Sequence, residues 1–289
     1  MAKARITDFQ GRTCVVTGAA SGIGRAAALD LAARGARLAL CDREAETLEA
    51  TAQRCREISG SAPVVGAFDI TSFEETKAFA DEAIAELGVP EAVFHVAGTS
   101  KWGAVDKMVH EDWKLLVDVN LMGTVHVVES FVPPMMKAGR PGALAMVSSA
   151  AGLIGMPWHG AYSATKFGVR GIAEVLRFDL ESKRISVHIV TPGAVDTPLV
   201  NKIQISGVDT SDPAVVEAQA RFSKHAVTPE EAAKKMIVGV TKGKYIIQTS
   251  RDIALAFAAQ RYFPPAYNLA MRWLNRYLLS VAKKAGVEV

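Results

Sequence analysis

The chain is poor in cysteine, in uninterrupted apolar runs and in surplus charge of either sign. Three cysteines (Cys14, Cys41 and Cys55) among 289 residues are too few for a disulfide framework. Their separations fit neither a zinc knuckle nor a Cys-x-x-Cys redox pair. The expectation is three reduced, semi-buried thiols in a cytoplasmic protein. No stretch reaches the ~18 consecutive apolar residues of a membrane span. Residues 1–10 carry charges and no apolar run, so no signal peptide is expected there. Basic residues number 33 and acidic ones 30, a net of +3. That surplus is too small to mark a nucleic-acid binder. The six histidines show no His-Glu-x-x-His or paired spacing, so no metal is expected. A Gly/Ser/Pro-rich linker, an internal repeat and a low-complexity tract are also missing from the sequence.

What is there is a regular alternation. Short apolar or β-branched runs occur at 13–17, 37–41, 63–68, 92–97, 143–148 and 185–191. Segments with helical spacing lie between them. Residues 25–34 stop before Gly35, residues 43–58 carry charge on one face, and residues 72–87 stop before Gly88. Thr71 and Glu74 have capping-box spacing. Strands alternating with helices predict an α/β fold: a doubly wound parallel sheet of Rossmann type, about seven strands, with helices on both faces.

After Pro192-Gly193 the rhythm breaks. Residues 194–227 show no strand signal and read as a substrate loop or lid. Thr228-Pro229-Glu230-Glu231 starts a helix, with a capping threonine, a first-turn proline and acidic residues at the positive end. Residues 244–249 read as a last strand. The chain thus divides into a catalytic domain at 1–250 and a C-terminal helical extension at 251–289. That extension holds Arg251, Arg261, Arg272, Arg276, Lys283 and Lys284 against Asp252 and Glu288, a net of +4 that leaves −1 for the other 250 residues. Beyond Pro264-Pro265, residues Tyr267, Met271, Leu274, Tyr277, Leu278 and Val281 fall near one helical face. The tail is basic and amphipathic.

Three constellations carry chemistry. The first is Thr17-Gly18-Ala19-Ala20-Ser21-Gly22-Ile23-Gly24, between a strand and a helix. Glycines there let the backbone approach a pyrophosphate, and the helix start offers unpaired N–H groups. Ser21 and Ile23 belong to the same turn. The second is Asp42, 18 residues beyond Gly24, where a carboxylate can bond the adenosine ribose and repel a 2′-phosphate. That favours NAD over NADP, although Arg43 beside it suits the phosphate instead. Asp42 also fits a plain capping role. The third is Tyr162-Ser163-Ala164-Thr165-Lys166, with tyrosine and lysine four apart on one helical face. A free phenol titrates near pH 10. A neighbouring ammonium in a partly desolvated cleft lowers that value. A tyrosine four residues from a lysine is not specific alone. Ser149, however, lies 13 residues before Tyr162 at the end of an apolar strand, where open α/β sheets collect ligands. Its hydroxyl can hold a substrate oxygen while Tyr162 moves the proton.

In these motifs, over roughly residues 8–250, the sequence resembles the short-chain dehydrogenase/reductase family. The matching features run in order: the glycine-rich turn, Asp69, Asn120, Ser149, Tyr162 with Lys166, and Pro192-Gly193 with Thr197. The resemblance implies Tyr162 as general acid/base and Lys166 as the group that lowers its pKa and holds the nicotinamide ribose. It implies Ser149 as the group that positions the substrate oxygen and Asn120 as the holder of a relaying water. It implies that Asp69 and Ile70 border the adenine, and that Thr197 and the backbone near Val195 meet the carboxamide. One departure stands out. Where the family usually has Asn-Asn-Ala-Gly, this chain has His95-Val96-Ala97-Gly98. Ala97 and Gly98 keep the close approach to the cofactor, and His95 either replaces the lost tie between strands or simply packs.

Around the expected nicotinamide site the loops are apolar: Trp102, then Leu153, Ile154, Met156, Pro157 and Trp158, then Leu199 and Val200, with no arginine among them. The expected substrate is a lipophilic secondary alcohol or its ketone, of steroid, retinoid or long-chain type. The expected contacts are Trp102, Ser149, Leu153, Trp158, Tyr162 and Leu199. His159 reads either as a further contact or as a solvated histidine at a helix start. An NADPH-preferring carbonyl reductase and a cofactor-binding scaffold with vestigial chemistry are the alternatives. The resemblance also implies a homodimer or homotetramer through helices near 107–137 and 160–180. The tail reads as a lid or subunit contact, as a peripheral membrane contact through 265–284, or as a helix packed on the core.

Overall fold

A computed structural model describes residues 5–201, 203–224 and 226–287. The strands and helices alternate as β1 (Thr13–Thr17), α1 (Gly22–Ala33), β2 (Arg37–Asp42), α2 (Ala45–Ser59), β3 (Val64–Ala67), α3 (Phe73–Leu87) and β4 (Ala92–His95). A short strand β5 (Lys101–Trp102) precedes α4 (His110–Leu116), which continues through a π-helical turn (Val117–Met122) into α5 (Gly123–Ala138). Then come β6 (Gly142–Val147), α6 (Gly160–Asp179) and β7 (Ile185–Thr191). The last part holds α7 (Pro198–Asn201), β8 (Gln204–Ile205), α8 (Pro213–Ser223), α9 (Pro229–Thr241), β9 (Ile246–Gln248), α10 (Arg251–Tyr262) and α11 (Pro264–Lys284).

Seven strands form one sheet in the order β3-β2-β1-β4-β6-β7-β9, and every pairing is parallel. Parallel strands need helical crossovers, so both faces are covered and the strands read as continuous apolar runs. All five residues of β1 are buried. Its side chains alternate between two cores. Cys14 and Val16 pack with α1 and α9, while Val15 packs with α3, α5 and α6. The three thiols are free and buried.

The helix ends follow local chemistry. Gly35 and Gly88 adopt φ of 73° and 79°, which any side chain would strain. Thr228 caps α9 as its sequence predicts, its Oγ accepting from Glu231 N at 3.1 Å. The capping box expected from Thr71 and Glu74 is displaced by one residue. Ser72 Oγ accepts from Glu75 N at 3.2 Å instead, because Thr71 N is drawn into a turn by Asp69 Oδ1 at 2.9 Å. The 29-residue helical stretch His110–Ala138 is apolar and long enough to cross a membrane, but half of its most apolar window is buried inside the protein.

Segment 194–227 holds more order than its sequence suggests. It contains α7, α8 and β8, which pairs in parallel with β5. Two residues per strand are too few to carry a sequence signal. They are held instead by Asp112, which accepts from Lys101 Nζ at 2.5 Å and from Ser206 Oγ at 2.6 Å.

Candidate active site

The sheet order reverses beside β1, whose neighbours are β2 and β4. Loops leaving β1 and β4 diverge there and open a crevice at the carboxyl ends of the strands. A cleft of about 1150 Å³ occupies that position. One drug-sized ligand fills about 300–1,000 Å³, so there is room for a dinucleotide and a second molecule.

The glycine-rich turn forms one wall. A Cβ on Gly18 would lie 2.8 Å from Ala97 N, and one on Gly24 would lie 2.0 Å from Gly18 O. Only bare backbone fits this close a turn. Gly22 takes φ 51° and faces Thr197. Asp42 Oδ2 accepts from Ala20 N at 3.0 Å, and its Oδ1 accepts from Glu44 N at 3.2 Å. The carboxylate thus ties β2 to the turn and to the start of the next helix. Arg43, beside it, is engaged by Glu44 at 3.1 Å. Further along, Ser21, Ile23, Asp69, Ile70, Ala97, Gly98, Pro192, Gly193 and Val195 also line the cleft. The donor set, helix N-terminus and glycine cradle fit a nicotinamide dinucleotide.

The reacting end lies across the cleft. Tyr162, Lys166 and Ser149 line it together, with both Tyr162 and Lys166 buried. Lys166 Nζ donates to Val147 O at 3.1 Å and lies 5.8 Å from the Tyr162 ring centre. Burial lowers its pKa to about 8. Ser149 hydrogen-bonds Tyr162, and its Oγ accepts from Ala151 N at 3.1 Å. Ser148 turns away and donates to Lys166 O at 2.8 Å, so the adjacent serines have separate tasks. Lys166 was expected to lower the Tyr162 pKa. In the protein alone burial raises it, and the Ser149 hydrogen bond opposes that rise. Tyr162 is buried, which penalises the phenolate, and the Lys166 ammonium is spent on the Val147 carbonyl.

Asn120 does not reach the cleft wall. The π-helical turn carries it to a layer behind, where Oδ1 accepts from Thr99 N at 2.8 Å and Nδ2 donates to Thr99 O at 3.0 Å. Nδ2 also approaches Thr165 Oγ1 at 3.2 Å. A Cβ on Gly98 would sit 3.0 Å from Asn120 Oδ1 and 3.1 Å from Lys166 Nζ. Gly98, Asn120 and Lys166 therefore interlock.

His95 belongs to the same support. Thr17 Oγ1 accepts from Val96 N and Ala97 N at 3.1 Å each, so its one proton goes to His95 Nδ1 at 2.9 Å. Thr124 Oγ1 donates to Asn120 O at 2.7 Å, so it accepts from His95 Nε2–H at 3.0 Å. These directions require neutral imidazole, and burial holds the His95 pKa down at about 3. His95 both packs and ties, linking β1 and β4 to the turn bearing Asn120. The sequence pointed to His95 but not to its partners Thr17 and Thr124, which are distant in the chain.

The substrate end is formed by Trp102, Ile154, Met156, His159, Leu199 and Phe222, with Ala256 from α10. His159 is not a solvated helix-start residue. It is buried, its Nδ1 lies 2.7 Å from Pro157 O, and its ring is 4.1 Å from Trp102 and 6.3 Å from Tyr162. Burial lowers its pKa to about 4. Two expected contacts are not on the cleft wall. Leu153 is buried in an apolar cluster with Ile154 and Ile253. Trp158 takes φ 66° and its carbonyl accepts from Gly103 N, which turns that segment away. An arginine from outside the loops read from the sequence also borders the cleft, as Arg43 does beside Asp42. Arg221 comes from α8 and pairs with Glu217 at 2.7 Å. Phe222 and Arg221 went unread because nothing in 194–227 announces that α8 folds over the cleft.

A model of the short chain dehydrogenase family matches residues 12–206. SadH of Mycobacterium tuberculosis, an assigned oxidoreductase, is 34% identical over 83% of this chain and 86% of its own. The 3-oxoacyl-acyl-carrier-protein reductase FabG of Thermotoga maritima is 31% identical over 79% and 90%. A short chain dehydrogenase/reductase from Burkholderia phymatum, solved in complex with NAD, superposes with TM-score 0.80 at 25% identity, covering 89% of this chain and 95% of that one. The chain belongs to the short-chain dehydrogenase/reductase family. It is an NAD(P)-dependent oxidoreductase that acts on CH–OH groups.

Proposed function

We propose that this protein interconverts a lipophilic secondary alcohol and its ketone, using NAD in preference to NADP, with Tyr162 as general acid/base. The carrying observation is the convergence of Tyr162, Ser149 and Lys166 opposite the glycine-rich turn in one cleft. When bound, the dinucleotide supplies the acceptor for the alcohol's hydride. The chain's own residues handle the proton. Tyr162 takes it from the substrate hydroxyl, Ser149 holds that oxygen by hydrogen bond, and Lys166 offers a buried ammonium nearby. Asn120, Gly98 and His95 hold these groups at their distances.

Two observations support the finer choices. The NAD preference rests on Asp42 at the end of β2 and on Glu44, which pairs with Arg43 at the cleft wall. Two solved relatives, from Burkholderia phymatum and Mycobacterium paratuberculosis, are described as bound to NAD. The apolar substrate rests on Trp102, Ile154, Met156, Leu199 and Phe222 around the reacting end, where Lys101 is paired with Asp112 and Arg221 with Glu217. Residues 1–250 carry the catalytic groups, 194–227 closes over the substrate, and α10 adds Ile253 and Ala256 to the cleft. A homodimer through helices near 107–137 and 160–180 accounts for the exposed Leu115 of α4, Val117 and Met122 of the π-helical turn, and Phe167, Val175 and Phe178 of α6.

The test is a panel of secondary alcohols of increasing chain length, each with NAD and NADP, read by absorbance of the reduced nicotinamide. The expected result is kcat/KM rising with apolar length, by about 10-fold for each 1.4 kcal/mol of added burial, and larger with NAD. Best turnover of a small charged sugar or hydroxy acid overturns the substrate reading.

A further inference from the structure

The last two helices expose apolar surface in an ordered pattern. Leu255, Ala258 and Tyr262 follow one face of α10, and Ala266, Leu269, Ala270 and Trp273 follow one face of α11. All are exposed, and Leu255, Tyr262, Phe263, Leu269 and Trp273 are each 66–71% exposed. Monomeric soluble surfaces scatter such side chains singly. Here they converge on the Phe263-Pro264 corner. The apolar face of α11 read from the sequence is largely covered by the protein: Tyr267, Met271, Leu274, Tyr277, Leu278 and Val281 are half-buried and the adjacent Ala282 is buried. Tyr267 Oη donates to Gly155 O, and α11 packs on α8. The exposed stripe is therefore a second apolar face on a helix whose first face is already used.

Charge sets the kind of partner. Residues 253–287 contain no aspartate or glutamate, while Arg261, Arg272, Arg276, Lys283 and Lys284 give them +5. Arginines flanking an aromatic and aliphatic stripe match the boundary between acyl chains and anionic headgroups. Trp273, stacked on Tyr277 at 6.0 Å, is the residue type that settles at such a boundary. The opposite side of α10 reaches the cleft through Ile253 and Ala256, so the stripe faces away from the protein body.

We propose that the α10–α11 corner is a peripheral docking surface for an anionic lipid bilayer. The apolar stripe enters the headgroup–acyl boundary, and Arg261, Arg272 and Arg276 lie over the headgroups. Docking stands apart from the identity of the substrate. Only its use, the delivery of an apolar substrate from the bilayer, rests on the function proposed above.

The test floats the full chain with vesicles of phosphatidylcholine and phosphatidylglycerol, and with phosphatidylcholine alone, at low and high salt. The wild type is expected to float with the anionic vesicles at low salt and to be largely released at high salt. Leu269→Ser/Trp273→Ala and Arg272→Glu/Arg276→Glu should each weaken that binding at least about tenfold. Both should keep the wild-type thermal midpoint and turnover of a water-soluble alcohol. Absence of flotation by the wild type overturns the proposal. So does equal flotation of wild type and both variants, or light scattering in which the apolar variant splits an oligomer while vesicle binding is unchanged. A failed alcohol panel with successful flotation would overturn the substrate reading and leave the docking surface standing.

Discussion

The two walls of the cleft are built differently. The wall from β1, β4, β6 and α6 is built on strands buried throughout, and its polar groups are tied down: Thr17 to His95, His95 to Thr124, Asn120 to Thr99, Lys166 to Val147. The other wall, from α7, α8 and α10 with the two-residue strands β5 and β8, carries apolar side chains such as Leu199, Phe222 and Ala256. Proton transfer needs groups fixed to within a fraction of an ångström. Selection of an apolar substrate needs shape and area. Changes in the first wall should therefore act on kcat and stability, and changes in the second on KM.

The largest break in that comparison is Lys166→Met. Turnover should fall by roughly 10²-fold or more, yet the protein should become more stable at pH 7. The sign follows from burial. Burial lowers the folded pKa of Lys166 to about 8 from an ordinary 10.5, so the unfolded chain holds the proton more tightly and the folded state is penalised below pH 8. The penalty fades as pH rises from about 8 to 10.5. The melting temperature of the variant should exceed the wild type's most at pH 7 and least above pH 10.5. Identical melting curves across that range would contradict the burial account.

The next effect is His95→Ala, in the same wall. It removes the acceptor of the Thr17 hydroxyl and opens a cavity, for a loss of about 2–4 kcal/mol in chemical denaturation. The neutral His95 also stabilises the fold in a pH-dependent way. Its depressed pKa of about 3 means that stability present above pH 6.5 is lost as pH falls towards 3. Acid denaturation of the variant should show a shallower slope in that window. A smaller effect is expected for Asp112→Asn, under the second wall. It weakens the tie among Lys101, Ser206 and the β5–β8 pair. KM should rise by roughly tenfold, about 1.4 kcal/mol, with kcat little changed. A fall in kcat at constant KM would erase the distinction between the walls.

The same division governs what could be read from sequence. The first wall is written in local patterns: apolar runs ending in glycine turns, and a tyrosine four residues from a lysine. The strands of the main sheet and the residues Gly18, Asp42, Ser149, Tyr162 and Lys166 were legible for that reason. The second wall is written in contacts between distant residues. Asp112 meets Ser206 across 94 positions, and no periodicity marks either partner. Leu153 and Trp158 sit in an apolar loop, but sequence could not say which side chains of that loop face inward. The Trp158 backbone at φ 66° turns on tertiary packing. His95 was visible as a departure, while its two threonine partners became visible only in three dimensions.

The central claim is that the Tyr162 hydroxyl moves the substrate proton. Single-turnover oxidation by Tyr162→Phe, with NAD binding measured alongside, addresses it directly. The account predicts a rate lower by about 10²–10⁴-fold with NAD affinity nearly unchanged. A variant that turns over as fast as the wild type would contradict it.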